Sequence, residues 1–196
     1  MQEKSNSIPN ETRTARTKAA LIEAARQLFV DKGYAATGTP ELVKAAGVTR
    51  GALYHHYADK LDLFRAIIER ESAAVATAIE AASANPQTAL GALKSGARAY
   101  FEAMRVPGRT RLLLVDGPSV LGTEAMHAID AASSGGSLAA GLQIGMDNGE
   151  IRPVPVAALA SVLSAAFDRA ALDIAEGASP DDIIAAIDAL LDGLRA

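Results

Sequence analysis

The segment TGTPELVKAAGVTRGALYHHYADKLDLF, Thr37 to Phe64, carries the pattern that decides the fold. Leu42, Val43 and Ala46 share one face of a short helix over 40–46, and Gly47 supplies a tight turn. Thr49 then caps a second short helix over 50–57, on which Leu53 and Tyr57 face inward. Asp59 caps the next, long helix, with Asp62 at its third position as a partial capping box. This spacing suits a helix-turn-helix whose second helix protrudes with a polar N-terminal face, and a helix so exposed fits a DNA major groove.

Upstream, residues 1–11 are polar and without period and read as a mobile arm, with Arg13, Arg16 and Lys18 near its end within reach of DNA. Leu21, Ala24, Ala25, Leu28 and Phe29 follow the helical period, and Gly33 sits where a C-terminal cap glycine belongs. Downstream, Leu61, Phe64, Ile67 and Ile68 begin a long fourth helix that runs to the stop signal Asn85-Pro86. Further helices are expected over 88–106, broken by Pro107-Gly108, and over 109–116, broken by Gly117-Pro118. Two more, over 123–132 and 137–148, are separated by a loop at 133–136. The last two helices carry Leu159, Leu163, Phe167 and Ile174, then Ile183, Ile187 and Leu191, the second opened by the cap and acidic first turn Ser179-Pro180-Asp181-Asp182. Their apolar stripes are too broad for a lone terminal hairpin, so two copies are expected to form a four-helix interface about a two-fold axis.

Composition supports an all-α fold. Apolar residues make up 49% of the 196, with Ala, Leu and Ile foremost, a helix-forming palette. The absence of cysteine excludes disulfides, thiolate zinc sites and thiol redox switching. The polar start lacks a secretory apolar segment, which implies a cytoplasmic protein. The apolar run Val156–Ala175 contains Asp168, Arg169 and Asp173 and reads as a buried helix, not a membrane span. Asn10-Glu11-Thr12 matches a glycosylation sequon by chance. Residues 1–65 hold ten Lys/Arg against seven Asp/Glu, whereas the remainder holds nine against sixteen, so the basic part is where a polyanion would bind.

The run Gly47-Val48-Thr49-Arg50-Gly51-Ala52-Leu53-Tyr54-His55-His56-Tyr57, followed by Asp59-Lys60, resembles the signature of TetR-type regulators over roughly residues 13–70. The resemblance implies a dimer of nine or ten helices per chain, with an inducer pocket in the C-terminal region. On that plan residues 1–12 form the arm, 13–70 the DNA-binding domain, and 71–196 a ligand-binding and dimerisation domain joined to it through the long helix. Thr49, Arg50, Gly51 and Ala52 match the positions that open the recognition helix. Tyr54 and His56 match frequent phosphate or base contacts, Lys60 matches a frequent phosphate contact, and His55 belongs to the same set. Arg50 is the candidate reader of guanine, because its fork donates two hydrogen bonds to O6 and N7. The family's usual Ser/Thr cap of the second helix falls here at Gly38, and Pro40 would favour Thr39 instead, so Thr37 and Thr39 both stand as candidate phosphate contacts.

Other chemistries find little support. An isolated Lys or Arg is ordinarily a solvated charge, and motif context distinguishes Arg50 and Lys60 from that. His55 and His56 point about 100° apart on a helix and cannot easily share a metal. Glu124, His127 and Asp130 lie at i, i+3 and i+6 but read as a polar stripe beside a pocket. Gly117-Pro118-Ser119-Val120-Leu121 lacks the last glycine of a nucleophile elbow, and no phosphate loop or dinucleotide fingerprint occurs, so neither an enzyme, a metal nor a cofactor is expected.

Tyr100, Phe101, Met104, Leu113, Met126, His127 and Phe167 are the larger side chains of the middle region and the candidate pocket walls, favouring a small, largely apolar ligand. The functional expectation is a repressor of a palindromic operator, released by that ligand, with the fourth helix as the lever between pocket and DNA. The competing readings are a DNA-binding dimer without inducer, acting as activator or architectural factor, and a ligand-binding or catalytic helical protein.

Overall fold

The computed structural model describes residues 10–84, 87–133 and 135–196, with side chains for 13–84, 87–132 and 137–196. The chain forms two compact units that divide between Ile67 and Ile68. Among the described residues there is no strand, only an isolated antiparallel bridge between Ile151 and Arg195. None of their helices is long and apolar enough to cross a membrane.

The first unit contains α1 (Asn10–Lys32), α2 (Thr39–Ala45), α3 (Arg50–His56) and the start of α4 (Lys60–Ser83). Helix α1 begins at Asn10, within the stretch read as an arm; residues 1–9 lie outside the described residues. Its apolar face delivers Leu21, Ala25 and Phe29 to the core, where they meet Leu42, Leu53, Leu63 and Phe64. Phe29, Tyr34 and Phe64 form a ring cluster with centroids 5.0–5.6 Å apart. Such pairs add about 0.5–1.5 kcal/mol each beyond the area they bury. Gly47, with φ +64°, makes the turn between α2 and α3 that a side chain would strain.

Helix α2 starts one residue earlier than expected. Gly38 is its N-cap through its carbonyl, which accepts from Glu41 N and Leu42 N at 3.1 Å, and Thr39 is already helical. The capping box of α4 forms in a shifted version. Asp62 N donates to Asp59 Oδ1 at 2.8 Å, while the Asp62 carboxylate accepts from Ala58 N at 2.9 Å.

In the second unit α4 continues and is followed by α5 (Ala89–Met104), α6 (Arg109–Arg111), a π-helical turn (Leu112–Asp116), α7 (Gly117–Leu121), α8 (Thr123–Ser133), α9 (Gly135–Asp147), α10 (Val156–Ala175) and α11 (Pro180–Asp192). Helix α5 is central and packs on α9, α10 and α11. Its N-terminus is capped twice. Thr88 Oγ1 accepts from Gly91 N at 3.0 Å, and Glu150, 61 residues away, accepts from Ala89 N at 2.9 Å.

Three expectations need correction. Gly117-Pro118 does not break the helical path, because the wider π turn ahead of Pro118 takes up its missing N–H and the bulk of its ring. Gly117 is needed for proximity: a Cβ there would lie 2.9 Å from Leu112 O and from Met126 Sδ. The loop expected at 133–136 is also shorter, since α9 already includes Gly135 and Gly136; helical glycine costs only about 1 kcal/mol, which packing overrides. Finally, interruption by the π turn divides the path into eleven α segments among the described residues, against the nine or ten helices implied. Asn85-Pro86 lie outside the described residues, and α4 ends at Ser83.

Candidate nucleic-acid interface and ligand cavity

In the first unit, α3 is anchored by buried Leu53 and by Tyr57 at its C-terminus, which leaves Arg50, Gly51, Tyr54 and His55 on an exposed face. Thr49, also exposed, caps the helix by accepting from Ala52 N at 3.1 Å, and its own hydroxyl proton remains available to a phosphate oxygen. Ala52 is half-buried and offers only its methyl group and closeness of approach.

Arg50 and Tyr54 act as a pair. The guanidinium carbon lies 5.5 Å from the Tyr54 ring centroid, one helical turn on. Hydrogen bonding by Arg50, then by Thr39, holds the Tyr54 phenol below its ordinary value. His56 is half-buried, and partial burial, then the charges of His55 and Lys18, lower its pKa.

Thr37 and Lys60 take other places than expected. Thr37 is 1% exposed, and its hydroxyl donates to Gly33 O at 2.8 Å, so it closes the turn after α1 and is withdrawn from any phosphate. Lys60 Nζ donates to Tyr34 O at 2.8 Å and Thr37 O at 2.9 Å, and sits 4.0 Å from the Tyr34 ring centroid. Two of its three N–H groups thus hold the 33–38 turn against the start of α4.

The second unit contains a partly open cavity of about 840 Å³ lined by α4, α5, the π turn, α7, α8, α9 and α10. Of the expected wall residues it contains Tyr100, Met104, Leu113, Met126, His127 and Phe167. Phe101 is the exception. It lies about 100° around α5 from Tyr100 and borders a smaller space of about 330 Å³ beside Ala171 and Ile174. Leu93, Ala97, Tyr100 and Met104 form the wall stripe of α5, a helical spacing readable in the sequence that selection of bulky residues alone passed over.

The polar centre of the cavity was also missed. Tyr100 Oη donates to Asp168 Oδ1 at 2.7 Å. Burial pushes the Tyr100 phenol far up, and burial raises the Asp168 carboxyl too, against the lowering effect of the Tyr100 hydrogen bond. A carboxylate next to Phe167 on the apolar run of α10 was the available signal. Beside the cavity, Arg109 Nε donates to Glu71 Oε2 at 2.8 Å and Arg109 Nη1 to Ala103 O at 2.7 Å, tying α4 to the α5–α6 turn through a carboxylate that is 3% exposed.

Residues 21–67 match the family described as bacterial regulatory proteins, tetR family, and residues 90–194 match the tetracyclin repressor-like C-terminal domain. The HTH-type transcriptional repressor BepR of Brucella suis is 46% identical over 56 residues, 29% of this chain and 27% of that protein. The HTH-type transcriptional activator FasR of Mycolicibacterium smegmatis is 30% identical over 97 residues, 50% of this chain and 42% of that protein. The chain therefore spans under half the length of these curated relatives. A crystal structure of a TetR-family transcriptional regulator from Pectobacterium atrosepticum is 29% identical, with a TM-score of 0.75 over 95% of this chain and 98% of that one. With a helix-turn-helix in its first unit and a family C-terminal domain across most of its second, the chain belongs to the TetR family of bacterial regulatory proteins.

Proposed function

We propose that the chain is a transcriptional repressor that binds a palindromic operator as a homodimer and is released by a small, largely apolar ligand in the cavity of its second unit. The observation that carries the DNA-binding reading is the exposed α3 face, on which Thr49, Arg50, Tyr54 and His55 stand around Gly51 with Arg50 braced by Tyr54. Arg50 is the guanine reader, worth about 1–3 kcal/mol of discrimination. Thr49, Thr39 and Tyr54 serve as hydroxyl contacts to phosphate.

The dimer forms through α10 and α11, where Val162 and Leu190 are 66% and 56% exposed in the single chain. Release requires the ligand to prefer a conformation in which the two recognition helices no longer match the grooves. Helix α4 is the lever, because the same helix begins at the Lys60 clamp and continues to Ser72, Val75 and Ile79 of the cavity wall. Coupling of about 1–3 kcal/mol lowers DNA affinity some 5- to 150-fold, and operator weakens ligand binding by the same factor.

Selection of bound sites from random duplexes tests this reading. Two inverted half-sites with centres about 34–36 Å apart, or a multiple of that, are expected. Recovery of duplexes with no shared sequence would contradict it.

A further inference from the structure

We infer that the smaller space at the α5–α6 turn is a second ligand site, for a small aromatic carboxylate whose anionic group is received by Arg105 and Arg111. Met104 borders both this space and the cavity proposed for the effector, but the inference needs neither that cavity nor the repressor reading.

The floor is apolar. Buried Phe101 and Met104 of α5, with Ala171 and Ile174 of α10, bound a volume of about 330 Å³, at the lower end of the range that small-molecule sites occupy. The adjoining turn is held in place. Thr110 Oγ1 donates to Met104 O at 2.8 Å, Arg109 Nη1 to Ala103 O at 2.7 Å and Arg109 N to Val106 O at 3.0 Å. The backbone that carries Arg105 and Arg111 is therefore fixed before any ligand arrives, which lowers the ordering cost of binding.

The rim is basic. Arg105 and Arg111 are among the described lining residues and no Asp or Glu is, whereas the larger cavity has no Lys or Arg among its own. Each arginine has a carboxylate neighbour outside the lining. Arg105 Nη1 donates to Glu102 Oε2 at 3.0 Å, but both side chains are more than half exposed, and a pair of that kind is weak enough to be exchanged for a ligand carboxylate. Arg111 Nε lies 3.3 Å from Asp116 Oδ2, an oxygen that accepts no hydrogen bond among the described residues, so this contact is one of charge and leaves the guanidinium N–H groups to a ligand. Gly108, between the two in sequence and also in the lining, has φ +78°, and its N–H donates to no group among the described residues. Guanidinium forks and a backbone N–H match the two oxygens of a carboxylate, while a neutral ligand of the same shape gains little beyond the floor.

The test is calorimetry and methyl NMR on the full chain at neutral pH with cinnamate and its neutral isostere cinnamamide. Cinnamate is expected to bind at least about fivefold more tightly than the amide. It is also expected to shift the Ile174 methyl resonances more than those of Ile79, which lines the larger cavity. Arg105→Gln combined with Arg111→Gln, both at side chains more than half exposed, is expected to bring the two probes within about twofold of each other while leaving amide binding unchanged. Arg105→Gln alone is expected to remove part of the preference. Equal binding of the two probes by the wild type overturns the proposal without recourse to any variant, as does failure of cinnamate to bind at millimolar concentration. A preference that survives both variants, or shifts at Ile79 with Ile174 unmoved, overturns it too. Sequence-selective DNA binding, measured on the same preparation, reports separately on the repressor reading, because none of the cinnamate readouts involves DNA.

Discussion

Lys60 illustrates how one side chain can carry a motif position and a structural task together. Its ammonium donates to Tyr34 O and Thr37 O and lies over the Tyr34 ring. Lys60→Ala leaves two carbonyls without a charged donor, so a loss of about 1.5–3 kcal/mol in urea unfolding is expected. A change confined to DNA affinity, with unaltered stability, would return Lys60 to a simple phosphate contact. Asp168 provides the pH-dependent counterpart. Burial raises its folded pKa, so between the ordinary value of 3.8 and the raised value the folded state holds more protons than the unfolded one. The stability of the wild type therefore increases as pH falls through the raised value, and the carboxylate is destabilising above it. Asp168→Asn should melt higher than wild type at pH 7, with the difference vanishing towards pH 4. Equal melting at both pH values would show that the carboxylate carries no burial cost.

Among the elements, the second unit depends on a charge pair that periodicity does not reveal. Glu71 and Arg109 are distant in sequence and meet because α4 passes the α5–α6 turn. Removing one partner of a buried pair leaves the other charge uncompensated, so Glu71→Ala is expected to cost about 3–5 kcal/mol and Glu71→Gln, which keeps an acceptor for Arg109 Nε, less. Thermal or urea unfolding would measure both. A cost below about 1 kcal/mol for the alanine variant would place the pair with exposed ion pairs. The same contrast governs what could be read from sequence. Helices α1, α3, α10 and α11 were legible because their caps and apolar periods lie within the segments themselves: Gly33, Thr49 and Ser179 stand where the ends are. The passage through Pro118 was not, because a π turn is set by tertiary contacts such as Gly117 against Met126. The α3 face could be read from its motif. Burial of Thr37 depends on the turn at Gly33, and the orientation of Phe101 depends on which side of α5 the cavity lies, so neither is a property of the local sequence.

For the whole molecule, the proposed assembly and the proposed recognition are one question, because one recognition helix fits one half-site of a palindrome. Val162 on α10 and Leu190 on α11 are 66% and 56% exposed in the single chain. Val162→Asp together with Leu190→Asp should give a folded monomer by light scattering that binds the palindrome far more weakly than wild type. A stable dimer in that variant would place the interface on another surface. The proposed reading of base sequence by Arg50, braced by Tyr54, on α3 of each subunit is measured directly by fluorescence anisotropy of wild type and Arg50→Ala on the selected palindrome and on a scrambled duplex of equal length, across several salt concentrations. Arg50→Ala is expected to lose about 1–3 kcal/mol per half-site on the palindrome and little on the scrambled duplex, so that discrimination collapses while nonspecific binding persists. Equal losses on both duplexes, or none on either, would contradict it.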